Sequence, residues 1–388
     1  MRIAIASRIY RPEPSAASLF LGSVADALIQ QGHQVEVFTA KPVATDSNGS
    51  RGERIRTFPV LRDRSGYVRG YAQYMSFDLP LAFRLLFAPR PAVVFVEPPP
   101  TTGAIVRVVC ALRRIPYVYD AADIWSDAAR HATSSKLVLQ ALRTMETFAL
   151  NGASALVTIS QGVVDRARAL GVRAPISITG FGADTSVFRY SAAPIQRVFI
   201  YAGTYTQLHG AEILIEAFAQ FCETHPGYRL LFIGNGAGQD EMRDQAKRLG
   251  VNEALEFRDS VPSEDLQPLL ASSVASLATL HPERGYAYAF TSKIYSSLAA
   301  GCPVIFSGTG PTEEFMENAA RRVPVGASAR YDASSIAQAM RNASDHPLTP
   351  AERLRLAEWA AAEHSMQSVA REVAEVITET ARAKRGSS

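Results

Sequence analysis

Short apolar runs alternate with helix-length segments along the first half of the chain. The runs lie at residues 2–6, 34–39, 92–97, 117–121 and 155–159. Continuous apolar runs are typical of parallel strands buried on both faces, and such strands need crossovers of a dozen or more residues. Residues 18–31 have helical periodicity and end at Gly32. The pattern predicts a doubly wound α/β sheet.

The same alternation begins again after a polar stretch at residues 189–197. Strands are predicted at 198–201, 229–233, 255–257, 275–278 and 303–306, with helices near 212–224, 240–249 and 293–300. We expect two doubly wound domains, at 1–192 and 193–364, with a cleft between them. Residues 350–385 are also predicted to be helical, and a C-terminal helix at about 365–388 is expected to pack back on the first domain.

Composition excludes several classes of protein. A chain of 388 residues is long enough for two cores, and its 47% of hydrophobic residues is that of a globular protein. A net charge of +3 gives no general attraction for nucleic acid. Cys110, Cys222 and Cys302 are too scattered for a disulfide framework or a metal site. The first residues predict a strand and not a signal peptide, so we expect a cytoplasmic protein.

Residues 51–90 favour a peripheral contact with a membrane. This segment holds eight arginines against Glu53, Asp63 and Asp78, with aromatic residues from Tyr67 to Phe87 interleaved. Basic and aromatic residues together suit an anionic surface or a lipid-linked acceptor. A core helix with a solvated basic face is the alternative.

Glycines and one lysine mark a candidate phosphate site in the second half. Glycines follow two predicted strands, at Gly203 and at Gly234, where backbone turns sharply or approaches a ligand. The segment AFTSKIYSSLAAGCPVI predicts a short helix capped by Thr291 or Ser292, whose first amides attract anions. Lys293 in its first turn is unfavourable unless an anion lies beside it, and a solvated lysine is the alternative. No GxGxxG follows the first strand, which argues against an oxidoreductase.

The chain resembles retaining GT-B glycosyltransferases of family 4, especially a branch in bacterial cell-surface polysaccharide synthesis. The resemblance runs in order along nearly the whole chain, through segments such as YRPEPSAAS, PRPAVVFVEPPPTTG, YDAADIWSDAA, LLFIGNGAGQDEM and TSKIYSSLAAGCPVI. It implies two Rossmann-like domains, with the acceptor held mainly by the first and the donor by the second. The implied reaction moves a hexosyl group from a nucleoside diphosphate sugar, with UDP as the expected nucleotide, to a hydroxyl acceptor with retention. No metal or cofactor is implied.

The resemblance also implies roles for individual residues. Asp120 and Asp123 match acidic positions of the branch, and with Lys293 they are the catalytic candidates, although N-capping of a helix is the other interpretation of the two aspartates. Glu13, Ser15 and Ala16 are expected to contact the acceptor, although a loop glutamate such as Glu13 is more often solvated. The donor candidates are Gly203, Thr204, Asn235, Gly236, Arg258, Val261, Ser292, Lys293 and Ser296.

The chain departs from the family pattern at several of these positions. Two glutamates of many relatives are replaced by Tyr288 and Ser296, and an Arg and a Lys by Thr204 and His209. A histidine of many relatives is replaced by Ala122. The missing carboxylates leave a second interpretation open, in which the chain is a catalytically silent GT-B-like subunit that binds a partner or scaffolds a pathway.

Overall fold

The protein consists of two compact units. The computed structural model describes residues 1–386 except 14, 43–49, 64–67, 69, 130–132, 134, 237 and 283–287. The first unit is Met1–Gly180 together with Met366–Ser388, and the second is Phe181–Ser365. This division lies upstream of the boundary expected at 192/193, because Ala183 and Phe188 are buried in the core of the second unit.

The described part of the first unit contains a parallel sheet in the order β3-β2-β1-β4-β5-β6-β7. Its strands are β1 Arg2–Ala6, β2 Gln34–Ala40, β3 Arg54–Phe58, β4 Val93–Val96, β5 Tyr117–Asp120, β6 Ala155–Thr158 and β7 Ile176–Ile178. Its helices are α1 Ala16–Gln30, α2 Tyr71–Phe87, α3 Pro100–Arg113, α4 Trp125–Ala128, α5 Lys136–Gly152 and α6 Gln161–Ala169. The strand order reverses between β1 and β4, which is where open α/β sheets bind ligands.

A second parallel sheet, in the order β10-β9-β8-β11-β12-β13, organises the described residues of the second unit. Its strands are β8 Val198–Ala202, β9 Arg229–Ile233, β10 Leu255–Arg258, β11 Ala275–Thr279, β12 Val304–Ser307 and β13 Gly326–Ala329. Its helices are α7 Ile213–Cys222, α8 Gln239–Arg248, α9 Ser263–Ser272, α10 Lys293–Ala299, α11 Pro311–Ala320, α12 Ala333–Asp345 and α13 Pro350–Glu363. Here the order reverses between β8 and β11.

The predicted α/β fold is confirmed, and every predicted strand is present with ends within one residue. Strands β3, β7 and β13 were not predicted. Each lies at an edge of its sheet, so it is not buried on both faces and has no continuous apolar run.

The C-terminal region forms two helices that belong to different units. Helix α13 ends at Glu363 in the second unit, and α14, at Met366–Gly386, lies in the first. Helix α14 packs against α1 and against β4, β5 and β6. No helix of the described chain is both long and apolar enough to cross a membrane.

Candidate functional site

Lys293 reaches back from the start of α10 to the carboxyl end of β8. Its ammonium nitrogen lies 2.9 Å from the Tyr201 hydroxyl oxygen and 4.2 Å from the centroid of that ring. A Cβ atom on Gly203 would collide with the ammonium group, so a larger residue there would displace the end of the lysine side chain. The side chain is half-buried, which contradicts the interpretation of Lys293 as a solvated lysine.

Burial lowers the pKa of two basic side chains at this site. Desolvation lowers the pKa of Lys293 to about 7. The pKa of His209 falls to about 3, first because the ring is buried and second because the Lys293 charge lies nearby. His209 Nδ1 lies 2.6 Å from Thr206 Oγ1. An anion beside these groups would reverse both shifts, since an opposite charge stabilises their protonated forms.

The loops after β8 and β9 touch through their backbones. A Cβ atom on Gly234 would collide with the Gly203 carbonyl oxygen, and one on Gly236 with the Tyr205 carbonyl oxygen. The side-chain amide nitrogen of Asn235, oriented by its hydrogen bonds, lies 2.9 Å from Asp259 Oδ1. The structure therefore brings the predicted residues Gly203, Asn235 and Gly236 together at one edge of the second sheet.

The other donor candidates lie along the same edge. Thr204 is exposed, and its carbonyl accepts a hydrogen bond from the Tyr201 hydroxyl at 3.0 Å. Arg258 ends β10 and pairs with Glu256, and Val261 is half-buried against the core.

The predicted cap of α10 is wrong in its detail. Ser292 occupies the N-cap position, but its side chain makes no capping hydrogen bond. The Thr291 amide instead donates to Thr312 Oγ1 at 2.9 Å. Because α10 has only seven residues, the attraction for an anion at this edge comes mainly from the Lys293 ammonium group. Ser296 is half-buried one turn beyond Ser292.

Asp120 lies at the carboxyl end of β5 in the first unit and is 7% exposed. Burial raises the pKa of this carboxyl well above its usual range, and the charges of Glu97 and Asp123 raise it further. The helix-capping interpretation of Asp120 and Asp123 is wrong. Ile124 holds the N-cap position of α4, and Glu146 accepts the hydrogen bonds of the first two amides of that helix.

The three acceptor candidates lie at the start of α1. Ser15 caps α1, since its hydroxyl oxygen accepts from the Ser18 amide at 3.1 Å. Ala16 is exposed in the first turn. Glu13 is half-buried and forms an ion pair with Arg62 at 2.6 Å, which contradicts the solvated alternative.

The exposed basic and aromatic surface of residues 51–90 is smaller than the sequence predicted. Glu53 and Asp78 are buried, and Glu36 pairs with Arg54 and Arg56. Arg64, Tyr67 and Arg69 lie outside the described residues. Exposed apolar side chains remain on α2 at Leu79, Phe83 and Phe87, and on the neighbouring α3 at Val108 and Leu112.

Three functional candidates were missed from the sequence: Arg8, Glu97 and Tyr201. Glu97 had a signal, since it ends a predicted strand at the same edge as Asp120. Arg8 follows β1 in the same way. The role of Tyr201 depends on how its ring packs beneath Lys293, which no spacing reveals.

Two family profiles cover most of the chain. The family described as "Glycosyl transferase 4-like domain" matches residues 16–181, and "Glycosyl transferases group 1" matches residues 184–381. The chain belongs to the group 1 glycosyl transferases. Among curated relatives, glycogen synthase of Mycobacterium tuberculosis is 25% identical, with 92% of this chain and 90% of that protein covered.

Solved structures share the fold. Sucrose-phosphate synthase from Thermosynechococcus elongatus has a TM-score of 0.73 at 16% identity, covering 98% of this chain and 99% of that one. The Anabaena protein HepE in complex with UDP-glucose has a TM-score of 0.71 at 17% identity, covering 98% of this chain and 100% of that one. The two sheets are therefore those of the GT-B fold.

We expect Lys293→Met to stabilise the protein. Below pH 7 Lys293 is charged in both the folded and unfolded states, so folding buries a full charge. At higher pH the folded lysine is neutral, and its unfavourable contribution to folding shrinks as pH approaches the ordinary lysine pKa. The gain in unfolding free energy should be larger at pH 6.5 than at pH 9, by about 1–2 kcal/mol. Urea denaturation at both pH values measures it, with Lys247→Met at an exposed position of α8 as the control. An equal gain at both pH values contradicts the depressed pKa.

Proposed function

We propose that this protein transfers a hexosyl group from a nucleoside diphosphate sugar, with UDP as the nucleotide, to a hydroxyl group of an acceptor. The observation that carries the proposal is the Lys293 ammonium group, held over Tyr201 beside the glycine loops of β8 and β9. A half-buried cation without an anionic partner among the described residues suits a diphosphate. Family membership and the UDP-glucose complex of HepE support this donor.

The diphosphate would meet Lys293 and the backbone of the glycine loops. A lysine with a pKa near 7 is partly neutral before the donor arrives. The negative charge of the diphosphate favours the ammonium form, so binding takes up a proton. The charge held there then stabilises the diphosphate as the bond to the sugar breaks. His209 lies near Lys293, so the charge of the diphosphate would act on its ring as well.

We further propose retention without a metal ion. In the reaction that the family resemblance implies, the acceptor attacks from the face that the diphosphate leaves, and a donor phosphate oxygen takes the acceptor proton. This route needs no protein nucleophile and asks the chain mainly for positioning and charge stabilisation. In it, Lys293 holds the leaving diphosphate, and Asp120 and Asp123 orient the acceptor.

We expect UDP-glucose to bind in the presence of EDTA, with an affinity that falls as pH rises above the Lys293 pKa of about 7. The loss approaches about tenfold per pH unit, because each bound donor requires one more proton. Isothermal titration between pH 6 and pH 9 measures it, in two buffers of different ionisation enthalpy to count protons.

Lys293→Met should weaken UDP-glucose binding by ~1–3 kcal/mol and flatten the pH dependence. Lys247→Met should change neither. Binding that requires added metal contradicts the metal-independent part of the proposal. Unchanged affinity in Lys293→Met removes the diphosphate role of Lys293.

Ser296 offers a test of how the donor ribose is held. Ser296 follows Ser292 by one helical turn on the same face of α10, so a donor whose diphosphate meets Lys293 would pass its ribose near Ser296. A carboxylate there accepts two hydroxyl hydrogen bonds. We expect Ser296→Glu to tighten UDP-glucose binding by ~1–2 kcal/mol, as measured by titration. Ser296→Gln, which has the same length without the charge, should gain less, and weaker binding in Ser296→Glu would mean that the ribose lies elsewhere.

We also propose that the first unit contacts an anionic membrane surface, where a lipid-linked acceptor of cell-surface polysaccharide synthesis would be found. Leu79, Phe83 and Phe87 recur every fourth residue along α2 and are 53%, 65% and 79% exposed. This spacing places them in one stripe. Exposed Arg84, Arg90 and Arg114 lie on or next to α2 and α3. An apolar stripe flanked by arginines suits the interface of an anionic bilayer.

The protein should float with vesicles that contain phosphatidylglycerol and stay behind with pure phosphatidylcholine. The double variant Phe83→Ser, Phe87→Ser should lose most of this binding, because both aromatic contacts disappear. Leu137→Ser, Val138→Ser is the matched control, since these exposed apolar residues lie on α5 of the same unit. Equal flotation of the two double variants would contradict the role of α2.

A further inference from the structure

Three side chains form a row across the carboxyl edge of the first sheet. The register of β1, β4 and β5 pairs Ala6 with Val96 and Val96 with Tyr119. Ser7, Glu97 and Asp120 are therefore the next residues in line, and alternation along parallel strands turns them to the same face. Ser7 Oγ lies 2.9 Å from Glu97 Oε2. The row spans the point where the strand order reverses.

Glu97 and Asp120 cannot both ionise at low cost. The two side chains belong to residues that are only 8% and 7% exposed, and burial raises the pKa of each. The Arg8 charge opposes the shift of Glu97, whereas Asp120 meets the negative charges of Glu97 and Asp123. Neighbouring carboxyls in such surroundings hold one proton between them.

The remaining charged groups do not neutralise the pair. Asp78 on α2 is also buried. The charge of Arg8 acts on both Asp78 and Glu97, so neither carboxyl has this cation to itself. The Tyr119 hydroxyl on β5 interacts with Glu97, Asp120 and Glu146 on α5, and burial keeps its pKa well above the ordinary value. Arg8 is thus the cation that Asp78 and Glu97 share, against several carboxyl groups.

Unsatisfied polar atoms indicate that the row binds a ligand. The Asp120 carboxyl accepts no hydrogen bond from the side chains or amides that the structure describes, and the residue is 7% exposed. Arg8 is 8% exposed, and its Nη1 donates to the Pro98 carbonyl oxygen at 2.6 Å, but its Nε has no partner within the described chain. Buried polar groups nearly always have hydrogen-bond partners. Hydroxyl groups of a ligand, which both donate and accept, would supply them.

The Arg8 guanidinium group is fixed by aromatic rings. Its central carbon lies 5.2 Å from the centroid of Tyr74 and 5.4 Å from that of Trp125, and the two rings meet edge to face. Trp125 begins α4, whose first two amides donate to the Glu146 carboxylate. A cation held in this way is preorganised, so it can bind a ligand without first being ordered.

We propose that Glu97 and Asp120 share a proton and, with Arg8, bind hydroxyl groups of an uncharged polyhydroxylated acceptor, such as the end of a glycan. This inference rests on the proposed sugar transfer, for which it names the class of acceptor. The shared proton donates to one hydroxyl oxygen, and the other carboxyl oxygens accept from hydroxyl groups. A phosphate or carboxylate at this position would face several carboxyl groups against the single charge of Arg8, so negatively charged groups are disfavoured.

The first experiment needs no ligand. A carboxyl whose folded pKa is raised stabilises the fold below its unfolded pKa, and this contribution is lost as pH rises through the folded value. Asp120→Asn removes that loss, so its melting temperature should exceed that of the wild type by a few degrees at pH 8 and by less at pH 5. Glu97→Gln should behave alike, and the double variant should gain less than the sum, because removing one acid relieves the other. Asp165→Asn, at an exposed site of the same unit, is the control.

The second experiment tests the ligand class. Saturation-transfer NMR with methyl glucoside, methyl galactoside and glucose 6-phosphate, on protein saturated with UDP, should give signals from the neutral sugars only. Asp120→Asn should retain part of these signals, since its amide still donates, and Asp120→Ala should lose at least about tenfold in affinity. UDP-glucose affinity, titrated separately, should be unchanged in both variants.

Several results would overturn the inference. A lower melting temperature for Asp120→Asn than for the wild type at pH 8 would contradict it. Failure of all the neutral sugars to bind, or tighter binding of glucose 6-phosphate than of the neutral sugars, would also contradict it. Neutral-sugar signals that survive in Asp120→Ala would also overturn it. If UDP-glucose binds while the sugars fail, the acceptor site is wrong and the proposed donor stands. If the sugars bind while UDP-glucose fails, the proposed function fails at the donor instead.

Discussion

Every described strand pairing in both units is parallel, and this constraint decides where chemistry can occur. Parallel strands bring all their carboxyl ends to one edge, so residues far apart in the chain become neighbours there. In the first unit the edge gathers Ser7, Glu97 and Asp120 from three strands. In the second it gathers Gly203 and Gly234, with Lys293 arriving from α10.

At the carboxyl edge of the second sheet, glycine allows close approach of other groups, which is a different role from the one it has in an ordinary turn. At Gly203 the missing side chain leaves space that the Lys293 side chain fills, and at Gly234 it lets two loops touch backbone to backbone. A lysine in such a position is desolvated and its pKa is lowered, which is unfavourable for the folded protein alone. Such local cost is typical of positions kept for binding and not for stability.

The sequence predicted the central strands and the edge strand β10, but it missed the edge strands β3, β7 and β13. Strands such as β4 and β6 are buried on both faces, so their apolar runs are continuous and their limits clear. Strand β3 alternates charged residues, and β13 consists of Gly326 and small residues, so neither has that signal. Glu97 shows a similar limit at the site. Its position at a strand end was visible, but its partnership with Asp120 depends on which strands are neighbours, and strand order is a property of the folded sheet.

The chain enters the second unit after Gly180 and leaves it before Met366. The first and last segments of that unit lie side by side, because Ala183 forms a β-bridge with Ser365 and its amide donates to the His364 carbonyl. The second unit is thus one uninterrupted insert whose ends are already joined. Recombination between related genes could exchange the whole insert through two adjacent junctions, leaving α14 and the first sheet untouched. Under the proposed function, donor preference and acceptor preference would then diversify independently.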